Sequence, residues 1–176
     1  MKRSNPIIRF LRHLVSHTGQ VHRHFSNSAL KNIERAIKAS EDTHLGEIRF
    51  VVEAGLEPMD ILAKKTPRMR ALELFGRLNI WDTEHNTGVL IYLLLADRDV
   101  EIVADRGIHQ QVSAKTWEII CHAMELKFRQ GEFEIGILQG IADIGLHLQK
   151  FYPTQSLKNQ SPNTNNNEIS DKPIIL

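Results

Sequence analysis

LNIWDTEHNTGVLIYLLLADRDVEIVADRGI, residues 78–108, is the stretch on which the fold turns. Val89 to Ala96 is apolar at almost every position, the pattern of a strand covered on both faces, and this one belongs at the centre of a sheet. Asp97-Arg98-Asp99 then reverses the chain, because aspartates tolerate unusual backbone angles and bond their own main chain. Val100 to Ala104 returns antiparallel, with Val100, Ile102 and Ala104 alternating against Glu101, Val103 and Asp105 as in a half-covered strand.

Upstream, Gly46 opens another strand, Ile48 to Val52, which Gly55 and Pro58 end. Thr66-Pro67 pairs a hydroxyl cap with a proline at the first helical position and starts a helix that runs to about Leu78, facing the core with Leu72, Phe75 and Leu78. Strand, helix and strand in series, with a connection of this length, predict a right-handed βαβ unit with parallel strands. A helix from the Ser26 to Ser28 caps to about Asp42 buries Leu30, Ile33, Ala36 and Ile37. Downstream, Ser113 caps a helix through Phe128, Gly131 closes it, and a last helix spans Phe133 to Phe151. Gly136 and Gly140 share one face of that helix and allow a close packing approach. The fold class is therefore α/β: a single domain with a small mixed sheet, a βαβ unit plus an antiparallel strand, and helices on both faces. An extra N-terminal helix precedes it and a disordered tail follows. The divisions are 1–25, 26–153 and 154–176, the tail being rich in Asn, Ser, Gln and Pro.

The chain has 176 residues, 41% hydrophobic and 24% charged, the balance of one ordinary globular domain. The longest apolar run is far below the ~20 residues of a spanning helix, so no transmembrane segment is predicted. A lone cysteine, Cys121, cannot form an internal disulfide, and it reads as a small buried residue. Residues 1–25 carry Lys2, Arg3, Arg9, Arg12 and Arg23 and no acid; against a net charge of +1, the remainder is −4. An acidic body without an aromatic-studded basic sheet argues against nucleic acid as a partner. Arg9, Arg12 and His13 interrupt the N-terminal apolar stretch, and no cleavage site follows, which argues against a signal peptide. The expected location is cytoplasmic, with peripheral contact at the inner membrane surface.

Ile7, Ile8, Leu11, Leu14 and Val15 fall on one face of a helix. Two readings are open: a membrane-surface or partner-binding element, since cations beside an apolar stripe suit anionic headgroups, and an accessory helix packed on the domain. His13, His17, His22 and His24 have metal-compatible spacings, but nothing nearby supplies a third ligand.

Strand directions gather Gly55, Glu57, Asp97, Arg98 and Asp99 at one end of the sheet, and Asp82, Thr83, Glu84, Asn86, Asp105 and Arg106 at the other. The second group is the candidate site, because loops displayed by rigid strands commonly carry function. Carboxylates from separate segments repel unless a cation joins them, and hard oxygen ligands suit calcium or magnesium. Asp82, Glu84, Asn86 and Asp105 are the candidate metal ligands. Asp82, Asp105 and Arg106 are the candidate catalytic residues, with Arg106 placed to hold a phosphate or carboxylate in a forked contact. The structural alternative has Asp82 capping a turn, Asp105 pairing with Arg106 or another basic group, and Trp81 plugging the end of the core.

Asn86-x-Gly88-Val-Leu-Ile, Ala96-Asp97-Arg98, Val100-Glu-Ile-Val and Gly107-Ile108, continued by Trp117, Phe128-Arg129-x-Gly131-x-Phe133 and Gly136-x-x-x-Gly140-Ile141, resemble the TPM domain family over roughly residues 30 to 152. That resemblance implies an accessory or interaction domain assisting assembly or maintenance of a membrane-associated complex, with an unknown protein partner. The alternative it implies is a divalent-metal-dependent acid phosphatase.

Overall fold

The computed structural model describes residues 6–154 and 167–176. Its sheet has four strands: β1 (Glu47–Glu53), β2 (Gly88–Leu94), β3 (Asp99–Ala104) and β4 (Ile174–Ile175), in the order β3-β2-β1-β4. β1 and β2 are parallel, with Ile48 opposite Val89, and β3 returns antiparallel to β2, with Ile102 opposite Ile91. The βαβ unit and the reversal are as the sequence predicts. At the turn, Arg98 takes a left-handed backbone (φ 51°), which costs a non-glycine residue of order 1–3 kcal/mol.

All seven residues of β2 are buried, and their alternation sorts the core into two halves. Val89, Ile91 and Leu93 join Ile48, Phe50 and Val52 against α2 (Thr18–His24), α3 (Asn27–Glu41), α7 (Ala114–Arg129) and α8 (Phe133–Phe151). Leu90, Tyr92 and Leu94 face the opposite way, with Ala71 and Leu74 of α5 (Pro67–Arg77). The caps match their sequence signals: Ser26, Thr66 and Ser113 accept from Ala29, Met69 and Thr116 amides. Gly131, after α7, adopts φ +82°. In α8, Gly136 and Gly140 sit against Phe128 and Met124 of α7, which is the close packing expected of them.

Several features differ from the sequence reading, among them the stripe of α5, where Leu72 is 50% exposed and Ala71 and Leu74 are buried instead. The N-terminal extension holds two helices, α1 (Pro6–Leu14) and α2, and Val21 and Phe25 at its end are fully buried. Short helices α4 (Pro58–Leu62) and α6 (Arg106–Gln111) lie where no helix was expected. Their few residues leave too little periodicity to register. Of the expected tail, residues 155–166 lie outside the described residues, but Ile174 and Ile175 pair in parallel with Val51 and Val52. Beside them Leu176 accepts from the Ala54 amide at 3.0 Å and donates to Val52 O at 2.9 Å. A polar segment can be ordered when a neighbouring strand supplies its main-chain partners. Finally, Trp81 is 51% exposed and plugs nothing.

Candidate functional site

The polar end of the sheet expected from the sequence forms at the start of β2 and the end of β3. Gly88 packs so closely under Ile80 O that a Cβ there would lie 1.8 Å from it, which seats the tryptophan-bearing connection on the strand. Gly107 gives the same close approach to Asn86 O. Asn86, left-handed at φ 54°, accepts from Arg106 Nε at 2.9 Å through its side chain and from the Gly107 amide at 3.0 Å through its carbonyl. Asp105 caps α6, its Oδ1 accepting from the Arg106 amide at 2.7 Å. The other carboxylate oxygen, Oδ2, is buried without a hydrogen-bond partner. Thr83 Oγ1 accepts from the Thr87 amide and closes the loop.

Asn86, Asp105 and Arg106 therefore meet. Asp82 does not join them: it lines a cavity with Arg49, Asn79 and residues 168–170, and neither Asp105 nor Arg106 lines that cavity. The Glu84 amide donates to the Glu168 carboxylate at 3.0 Å. Among the described residues no three His, Cys, Asp or Glu side chains are placed to hold a metal ion. The acids of the candidate set thus do not assemble around a common point. The four histidines of the N-terminal segment form no such group either.

Sequence reasoning passed over a group of carboxylates at the start of β1. Glu41 and Glu47 are buried, with Glu41 Oε1 accepting from the Ile48 amide at 2.7 Å and Glu47 Oε2 from the Ile169 amide at 3.1 Å. Burial, reinforced by Glu47 and Asp171, pushes the Glu41 carboxyl up to about 9, and a hydrogen bond joins it to the Asp171 side chain. Burial raises Glu47 as well. These acids hold the last ten residues in place. Their partners among these ten residues, Ile169 and Asp171, lie more than a hundred positions away in sequence, so no local pattern announces them.

The opposite end of the sheet is also more organised than the sequence shows. Asp97 receives Arg9 Nε at 2.9 Å, Arg12 at 3.5 Å and His13 Nε2 at 3.2 Å. Because the Leu56 amide donates to His13 Nδ1 at 2.9 Å, the ring proton sits on Nε2 and faces the carboxylate. Burial pushes the Asp97 carboxyl up, yet His13 and Arg9 outweigh it and hold the group below its usual range. Helix α1 is thus fastened to the strand ends by its polar side. Its apolar stripe points outward: Ile7, Ile8, Leu11, Leu14 and Val15 are each more than half exposed, 53% at the least. Met59 and Leu62 of α4, which packs beside α1, are exposed too.

The TPM domain matches residues 22–146. Among solved structures, the NMR structure of BA42 protein from the psychrophilic bacterium Bizionia argentinensis superposes with a TM-score of 0.72 at 29% identity, over 86% of this chain and 95% of that one. The comparison with curated proteins gives no match.

Proposed function

This chain belongs to the TPM domain family, and from that premise we propose that it is an accessory module which docks by α1 on an anionic membrane surface and serves the assembly or maintenance of a complex held there. The observation that carries this reading is the orientation of α1. A helix that packs for stability alone buries its apolar stripe, whereas this one turns the partly buried Arg9 and the buried His13 toward Asp97 and displays five large aliphatic side chains. Apolar residues beside cations are the composition of a helix lying at the headgroup boundary. No helix among the described residues is long and apolar enough to cross a membrane.

Flotation with vesicles tests the docking. The full chain is expected to float with vesicles containing anionic lipid, and the Ile8→Ser/Leu11→Ser variant to remain at the bottom. Substitution is the better probe than removing residues 1–25, because Val21 and Phe25 belong to the core. Flotation of the variant equal to that of the parent overturns the reading.

One observation favours a second reading, hydrolysis of a phosphate ester at the other end: Asp105 Oδ2 is buried and unpartnered, on the residue preceding Arg106, whose guanidinium bonds Asn86. An aryl phosphate assay with and without calcium or magnesium, alongside Asp105→Asn, decides it. Turnover that survives Asp105→Asn removes this residue from any such chemistry, and turnover abolished by it favours hydrolysis.

A further inference from the structure

Between α1, α2 and the β2–β3 reversal lies a cavity of about 450 Å³ that the candidate site does not include. Arg12, Arg23, Arg98 and His24 line it, Leu95 and Ala96 contribute apolar surface, and no Asp or Glu is among the lining residues. Asp97, between the lining residues Ala96 and Arg98 in sequence, is already shared by Arg9, Arg12 and His13. Arg23 and Arg98 make no ion pair among the described residues, and Arg12 Nε is buried without a hydrogen-bond partner. Three arginines thus line one concave site, Arg23 and Arg98 on its exposed side and Arg12 shared with Asp97. Like charges gathered in a concave site raise the local concentration of anions there.

Two further facts point the same way. Arg98 is held in the left-handed region, where glycine or asparagine is the ordinary choice, and strained positions persist where the side chain has a task. The cavity also stands at the carboxyl ends of the parallel strands, the edge at which open α/β sheets receive ligands. Burial lowers the His24 pKa, and Arg98 and Arg23 lower it further, so the ring adds a neutral polar group to the three cations.

We propose that this cavity binds a phosphate group, supplied by an anionic lipid headgroup when α1 lies on the membrane. The headgroup assignment rests on the docking reading above; the phosphate site itself does not. Arginine suits a tetrahedral oxyanion because its planar fork donates two hydrogen bonds to adjacent oxygens. Val15, exposed on the apolar stripe, also lines the cavity, so a headgroup seated here would continue into acyl chains along α1. Arg12 and Val15 precede the stretch that the TPM domain matches, so the cavity is partly a property of this chain's own N-terminal segment.

The full chain is titrated with inorganic phosphate while the arginine side-chain resonances are followed by NMR, and then floated with phosphatidylglycerol vesicles. Saturable shifts at Arg12, Arg23 and Arg98 are expected. Arg23→Gln/Arg98→Gln, its fold checked by circular dichroism, should weaken phosphate binding by about tenfold or more, the effect of losing charged hydrogen bonds. Arg77→Gln/Lys115→Gln, an equal charge loss at remote exposed positions, and Arg77→Gln alone should leave it unchanged. Absence of saturable shifts, or equal weakening by Arg77→Gln/Lys115→Gln, overturns the site. Phosphate binding without flotation overturns the headgroup assignment, and so does flotation untouched by the Arg23→Gln/Arg98→Gln substitution, which leaves the phosphate site and the docking reading standing.

Discussion

Glu53 shows how a charged residue on a central strand is accommodated. Its carboxylate takes a bidentate contact from Arg70 at 2.8 and 2.9 Å and a hydrogen bond from the Tyr92 hydroxyl at 2.6 Å, while Arg70 also reaches Glu73. Removing one partner of a nearly dry pair leaves the other charge uncompensated, so Arg70→Ala is expected to destabilise the fold by about 3–5 kcal/mol in denaturant titration, and a loss under 1 kcal/mol would contradict this. Glu41 gives a pH-dependent counterpart. Its carboxyl keeps the proton up to about 9 when folded, against an ordinary value of 4.5, so unfolding within that window releases a proton. Stability contributed here is full below the lower value and declines as pH rises through the higher. Glu41→Gln, which keeps the amide-accepting oxygen, should therefore melt above the parent by a margin that grows from pH 5 to pH 9; a constant margin contradicts the assignment. Neither residue was legible as a site, because Glu53 and Glu41 are recognisable only through Arg70, Tyr92 and Asp171, which the sequence does not place beside them.

At the scale of elements, periodicity revealed what is long and regular. Val89 to Ala96 reads as a central strand because every side chain has a covered face, and Thr66-Pro67 reads as a helix start because cap and proline are local chemistry. What stayed hidden depends on distant partners. β4 has two residues and no pattern of its own, and it exists because β1 offers an open edge and Glu47 receives the Ile169 amide. A chain ending at residue 166 should lose the burial of Ile169, about 2 kcal/mol, which lowers the melting temperature by roughly 4–8 °C. Faster hydrogen exchange at β1 amides is the matching signature. An unchanged melting temperature would mean that the last ten residues contribute nothing to the sheet. α1 was legible as an amphipathic helix, yet its direction was not, since the choice of which face packs is made by Asp97 and the Leu56 amide, residues far from it in sequence.

For the whole molecule, the two ends of the sheet have different characters. The end bearing Asn86, Asp105 and Arg106 is tied together by loop and cap hydrogen bonds, and the expected metal ligands divide between that cluster and a separate cavity. The opposite end combines a cationic cavity with an outward apolar helix on a chain whose remainder is net acidic. On the proposed docking, that asymmetry would orient the domain, with the acidic body repelled from an anionic surface and the α1 end drawn to it. The most direct measurement places a nitroxide spin label at position 11, through Leu11→Cys in a Cys121→Ser background, and compares its accessibility to oxygen and to a water-soluble nickel complex. The label should be open to the nickel complex in the free chain and become shielded from it, while gaining contact with oxygen, when anionic vesicles are added. A label already shielded in the free chain, or one that stays fully open to the nickel complex at saturating anionic lipid, would contradict the account.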